Sequence, residues 1–340
     1  MEDSNAATRK HDHIELAFKS QLHEISIDKR FSYEPILSAH PNQNTLQPFY
    51  FLGKNFRVPF WVSSMTGGTQ LANTINHNLA KMCGEYGFGM GLGSCRSLLY
   101  SDEYLKDFAV RKTMGYEVPL FANLGIAQIE KSIAENKIAN VIEMVNKLEA
   151  DGLIIHVNPM QEWLQPEGDL ITVSPLITIQ KFMQEVDLQV IVKEVGQGMG
   201  KESLKALFQL PLAAIDFAAY GGTNFAQLEL LRNQDNQTEK QAIYAALAQV
   251  GHTAIEMVGF VNEISTELGD KLLCKQAIIS GGIKGFLDGY YLTEKLRMSA
   301  IYGQASEFLK YAQQDYESLQ KYVESQQKGF ALAKCFLKVR

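Results

Sequence analysis

The sequence holds four cysteines in 340 residues, at positions 83, 95, 274 and 335. No two form a CxxC pair and none stands at His/Cys ligand spacing, which argues against a structural zinc site and a disulfide scaffold. They read as reduced thiols in a cytoplasmic protein. No apolar run reaches the ~18 residues that a membrane helix needs, and the N-terminal "MEDSNAATRKHDHIELAF" is too polar for a signal peptide. Basic charge is also short. Lys and Arg number 32 against 38 Asp and Glu, a net charge of −6. That balance argues against nucleic acid or an anionic membrane as partner, and leaves room only for a local basic pocket. No low-complexity segment or long linker interrupts the chain. The glycine strings "GFGMGLG" and "GQGMG" lack the order and context of the dinucleotide fingerprint, so a Rossmann site is not expected.

What is present is ordinary globular composition, 46 % hydrophobic and 21 % charged, arranged to a beat. Short apolar runs recur from 59, 88, 119, 152, 189, 213, 275 and 299, most ending in Gly or a small polar residue. Between them lie segments of helical period such as "QLANTINHNLAKMCGEYG" and "IEKSIAENKIANVIEMVNKLEADG". In the latter, Ile133, Ile138, Val141, Ile142, Val145 and Leu148 form roughly one stripe. Continuous rather than alternating apolar runs indicate parallel strands covered on both faces. Eight of them match an α/β (β/α)8 TIM barrel better than a doubly wound sheet, which usually has fewer strands and a phosphate loop after the first. The barrel is expected over 59–340, with a helical C-terminal tail from about 305. Residues 1–58 precede it as an N-terminal extension.

Active sites in this fold stand at the C-terminal strand ends. Here those ends read Met65-Thr66-Gly67-Gly68, Ser94 to Arg96, Asn123, His156 to Glu162, Lys193, Thr223-Asn224, Gly281-Gly282 and Gly303-Gln304. Neutral donors and acceptors dominate, as suits a large hydrogen-bonding ligand with an anionic tail. "ISGGIKGFLD" and "AIYGQASEFL" occupy the seventh and eighth turns, which often cradle a phosphate; either could also be plain turn glycine. Lys193 ends the buried run "VIVKE", where a lysine suits neutralising an anionic ring or forming a Schiff base better than plain surface solvation. The N-terminal "RKHDH" is either a solvated tail or a basic flap over an anionic substrate. His11 and His13 lack a third ligand for a metal. Trp163 and the aromatic residues of "PFYFLGKNFRVPFW" read as packing.

The pieces "RKHDHI", "SSMTGGT", "GSCRS", "ANLG", "HVNPMQE", "VIVKEVGQGM", "DFAAYGGTNF" and "ISGGI", in this order and at barrel strand ends, resemble the type 2 isopentenyl diphosphate isomerases over nearly the whole chain. The resemblance implies an FMN-binding TIM barrel that interconverts isopentenyl and dimethylallyl diphosphate without net redox change. It implies a flavin reduced by NADPH, Mg²⁺, and a homotetramer or other homo-oligomer. It assigns Ser64, Met65, Thr66, Ser94, Asn123, Lys193 and Thr223 to the flavin ring and ribityl chain, and Gly281, Gly282, Gly303 and Gln304 to its phosphate. Arg9, Lys10, Ser94, Arg96, His156, Asn158 and Gln161 would surround the substrate, most at its diphosphate, and Glu162 would hold Mg²⁺. The pattern departs near the C-terminus. Lys284 stands where the family has Arg after "GGI", and "IYGQAS" replaces a "GMARP"-like strand end.

Moving an unactivated double bond requires one proton delivered and another removed, and Gln161 alone is no strong acid. The strand end lacks an obvious acid–base pair. The expectation is therefore that reduced flavin supplies the proton, Lys193 stabilises charge on the ring, and Gln161 orients or relays protons. The rivals are a flavin-dependent 2-hydroxy-acid dehydrogenase on the same barrel, which wants a histidine base and arginines, and a non-catalytic FMN-binding or structural barrel.

Overall fold

Each of the eight apolar runs becomes a strand of one closed parallel barrel. The structure is a computed structural model that describes residues 6–64, 70–232 and 243–340. Outside the barrel, β1 spans Phe31–Tyr33, β2 Phe49–Phe51 and β3 Lys54–Phe56. The barrel comprises β4 Phe60–Val62, β5 Gly89–Gly91, β6 Leu120–Gly125, β7 Gly152–His156, β8 Gln189–Lys193, β9 Ala214–Asp216, β10 Gln276–Ser280 and β11 Ser299–Gln304. β11 pairs with β4 and closes the ring. β4, β5, β6 and β9 are buried at every position, as strands covered on both faces must be.

Helices follow where the period changes to 3.6. Gln70–Tyr86 forms as the spacing predicts. The long segment after β6 does not stay whole: it divides into Ile126–Ala134 and Ile138–Lys147. Asn136 between them takes a left-handed φ of 55°, a conformation that ends a helix and that Asn tolerates. The helix Ala254–Leu268 starts on a capping box, with Thr253 and Glu256 satisfying each other's backbone N–H groups.

The N-terminal end of the barrel is sealed. The β2–β3 hairpin buries Phe51 and Phe56 edge to face, ring centroids 5.6 Å apart. Its turn is fixed by Leu52 N–H donating to Gln276 Oε1 at 2.9 Å. Arg111, almost wholly buried, donates to the carbonyls of Gly115, Val118 and Glu149 and pairs with Asp151. The chain's last strand, β12 Leu337–Val339, pairs antiparallel with β1, tying the C-terminal helix Tyr316–Phe336 to the N-terminal region. Stability thus sits at one end, which leaves the opposite strand ends for chemistry.

Candidate active site

β7 leaves the core at His156, and the chain turns at once into the helix Pro159–Leu164. Pro159 starts that helix without loss, because its missing N–H has no partner in a first turn. The turn places Asn158 against both residues that follow it. Asn158 Nδ2 donates to Gln161 Oε1 at 3.1 Å and to Glu162 Oε1 at 2.8 Å. The other Glu162 oxygen accepts the backbone N–H of Asp169 at 2.7 Å. Glycine at 168 permits this return, since a Cβ there would lie 1.9 Å from the Glu162 carbonyl oxygen. Asp169 in turn pairs with Arg96 at 2.8 Å and accepts from Gln128 at 3.1 Å.

A second helix, Phe225–Arg232 after β9, packs on the first through a small apolar cluster of Leu164, Ala226, Leu230 and Ala248. It brings Glu229 to the site. Gln161 Nε2 donates to Glu229 Oε1 at 3.3 Å, and Arg232 lies 3.0 Å from Oε2. The six groups Arg96, Asp169, Glu162, Asn158, Gln161 and Glu229 therefore form one connected polar network. Burial raises the Glu229 carboxyl above the ordinary range; the Gln161 amide opposes this and the Glu162 charge adds to it.

His156 stands on the inner side of this network. Its Nδ1 is 2.8 Å from Asn123 Oδ1, and Asn123 Nδ2 donates to the Leu92 carbonyl at 3.0 Å. With the amide nitrogen committed to a carbonyl, Oδ1 can only accept. The imidazole therefore donates from Nδ1 and leaves Nε2 bare. Burial, and then the charge of Lys193, pull the imidazole down to about 3, so it is neutral at physiological pH.

At the end of β8, the strand paired with β7, lies a cavity of about 410 Å³, a size suited to a cofactor. Ser64, Lys193, Thr223, Gly281, Gly282, Gly303 and Gln304 line it, together with Ser63, Lys284, Ser306 and Glu307. Its wall after β8 is anchored by Glu194, whose Oε2 accepts the backbone N–H groups of Gly196, Gln197 and Gly198 at 2.7, 2.6 and 2.9 Å. Gly281 has φ 90°, and a Cβ there would meet the Ala219 carbonyl oxygen at 2.1 Å, so only glycine fits. Ala218, also lining the cavity, holds a left-handed φ of 42°, a strained conformation for a residue with a Cβ. Its N–H donates to Ser280 Oγ at 2.9 Å, which keeps it there.

Of the residues expected at a flavin, the cavity gathers seven. Asn123 and Ser94 do not line it: Asn123 supports His156, and Ser94 is exposed. Met65 and Thr66 lie outside the described residues. Arg96, Asn158, Gln161 and Glu162 come together; Arg9 and Lys10 are exposed on the helix Ala6–Leu16 and do not line the cavity. Sequence reasoning missed Asp169 and Glu229. Glu229 carried a signal, an acidic residue three places after Ala226 on the buried side of an apolar helix.

The residues fit the groups implied for them. Ser63 and Ser64 hydroxyls and the Asn158 carbonyl oxygen are buried without a hydrogen-bond partner among the described residues, as polar atoms facing a ligand would be. Gly281 and Gly282 after β10 and Gly303 near the end of β11 present backbone rather than side chain to the cavity, as a phosphate requires. Among the described residues no three His, Cys, Asp or Glu side chains converge on a metal position. A cation at Glu162 would take its other ligands from the substrate and water, as Mg²⁺ commonly does.

No protein-family model matches the chain. Among curated proteins, it is 32 % identical over 315 residues to the isopentenyl-diphosphate delta-isomerase of Rickettsia typhi, covering 92 % of this chain and 87 % of that one. The Rickettsia prowazekii isomerase of the same name is 33 % identical over 308 residues, covering 89 % and 85 %. Among solved structures, a flavocytochrome b2 variant with sulfite bound superposes with a TM-score of 0.61 at 14 % identity, over 89 % of this chain and 71 % of that one. A mandelate oxidase variant gives 0.56 at 14 % identity, over 92 % and 89 %. These last likenesses are of fold.

Proposed function

Because this chain belongs to the isopentenyl-diphosphate delta-isomerase family, we propose that it interconverts isopentenyl and dimethylallyl diphosphate by proton addition and removal without net redox change, with FMN in the 410 Å³ cavity. The observation that carries the reading is Gln161, fixed between Asn158 and Glu229 just after β7, the strand paired with the one that brings Lys193 to that cavity. When bound, a flavin reduced by NADPH supplies the acid–base chemistry that Gln161 alone cannot. The side chains do the rest. Glu229, its carboxyl raised by burial, is the group able to hold a proton behind Gln161, and Gln161 relays it. Lys193 brings a positive charge to the floor of the cavity. Arg9, Lys10, Ser94 and Arg96 bind the diphosphate, Glu162 holds Mg²⁺ against it, and His156 and Asn158, whose open Nε2 and Oδ1 accept, meet the substrate through cation-bound water.

At the phosphate end, Lys284 and the Ser306 hydroxyl take the place of the family's two arginines. The 2-hydroxy-acid alternative lacks its base: the His252 ring packs on Phe260, centroids 5.3 Å apart, and does not line the cavity. A homotetramer or other homo-oligomer in the cytoplasm is supported by exposed Phe18, Leu22, Ile25 and Ile36 and by four unpaired cysteines. No helix among the described residues is long and apolar enough to cross a membrane.

The test is direct. Enzyme loaded with FMN and reduced, given isopentenyl diphosphate and Mg²⁺, should form dimethylallyl diphosphate. Product formation without flavin, or none with it, rejects the reading.

A further inference from the structure

β8 and β9 end on two opposite charges in register, Lys193 beside Asp216. Register partners on adjacent parallel strands leave the sheet on the same face, so both side chains point toward the barrel interior. Lys193 lines the cavity, and its Nζ donates to the Glu194 carbonyl at 2.8 Å. Asp216, its register partner, is wholly buried. One of its oxygens accepts from the Ser280 hydroxyl; the other has no hydrogen-bond partner among the described residues. A buried carboxylate with an open oxygen is strongly disfavoured unless a cation offsets it. Burial raises the Asp216 carboxyl on balance; the charge of Lys193 opposes this first, then the Ser280 hydroxyl and the Ala218 N–H. The charge of Lys193 also acts on His156 at the end of β7 and on Glu194 just after β8.

We propose that Asp216 is the buried counter-ion of Lys193, a positioning residue that sets the net charge a bound flavin meets. The inference rests on the flavin reading above. With Asp216 ionised, the pair presents almost no net charge to the ring, and the reduced and oxidised flavin are balanced by it. Removing the acid makes the site one unit more positive toward a bound flavin. At a separation of several ångströms such a charge shifts a charged equilibrium by on the order of tenfold or more.

The experiment equilibrates FMN-loaded protein with a reference dye and reads the ratio of reduced to oxidised flavin. In Asp216→Asn, nearly identical in shape, that ratio should rise on the order of tenfold at fixed dye poise. In Lys193→Met it should fall, and in the double variant it should return toward wild type. Ser280→Ala removes a hydrogen bond of Asp216 without changing charge; a purely structural role would appear there as a lower melting temperature, with the ratio of Asp216→Asn unmoved. Should Asp216→Asn not fold, the proposal requires that Lys193→Met added to it restore folded yield. A double variant that is no better folded overturns the pairing. So does an Asp216→Asn ratio within twofold of wild type. Wild-type protein that binds no flavin rejects the cofactor reading itself, a separate and earlier failure.

Discussion

Gln161 Nε2 lies 3.3 Å from Glu229 Oε1, a contact between two helices that follow different strands of the barrel. If this contact serves the reacting carbons, it matters most in the transition state. Gln161→Ala and Glu229→Gln should each lower kcat by roughly 10²–10⁴-fold with KM changed only a few-fold. The double variant should lose little more than either single one. Steady-state kinetics with flavin occupancy checked decides it: a raised KM with unchanged kcat would make Gln161 an anchor only.

Glu162→Gln keeps the shape of the side chain and removes its charge. The bond from the Asp169 N–H can survive it, but the negative charge that attracts Mg²⁺ is lost. The Mg²⁺ concentration for half-maximal activity should rise on the order of tenfold or more, while FMN stays bound. An unchanged Mg²⁺ titration would remove Glu162 from the metal.

His156 gives a pH signature. Its value falls from 6.5 to about 3 on folding, so between those values the unfolded chain binds the extra proton. Stability is therefore fully present above about 6.5 and is lost as pH falls toward 3. His156→Gln should flatten the acid side of the melting-temperature profile in that window. A profile identical to wild type would show that another group governs it.

Gly168→Ala tests the turn that returns Asp169 to Glu162. With 1.9 Å available for a Cβ, the loop must move, and the network with it. Activity should fall at least about tenfold, as misplaced catalytic groups usually cost, while the barrel's melting temperature changes by only a few degrees. Equal loss of both would mean that the loop supports the core.

Lys284→Ala should weaken FMN by about tenfold and leave riboflavin, which has no phosphate, nearly unaffected; Glu307→Gln should tighten FMN alone. Fluorescence titrations with both flavins read the difference. Equal effects on the two ligands would move Lys284 away from the phosphate.

The barrel was legible because its signal is local: each strand is a short apolar run buried on both faces. The strand-end rule then led to Asn158, Gln161 and Glu162, which do meet. What escaped was non-local. The β1–β12 pairing joins three-residue strands from opposite ends of the chain, too short for any periodicity. Asp169 and Glu229 reach the network through a glycine turn and a helix packing that no spacing reveals. Asn136 divided a helix whose apolar stripe ran straight across it.

The small apolar cluster of Leu164, Ala226, Leu230 and Ala248 is separate from the barrel core. The two helices that carry Gln161 and Glu229 thus share a small core of their own, completed by Ala248 from the turn Ala245–Gln249. They can open together while the strands stay closed. In deuterated water their amides should exchange as a single unit, well ahead of those of β6, β7 and β8, and substrate should slow that exchange without touching the strands.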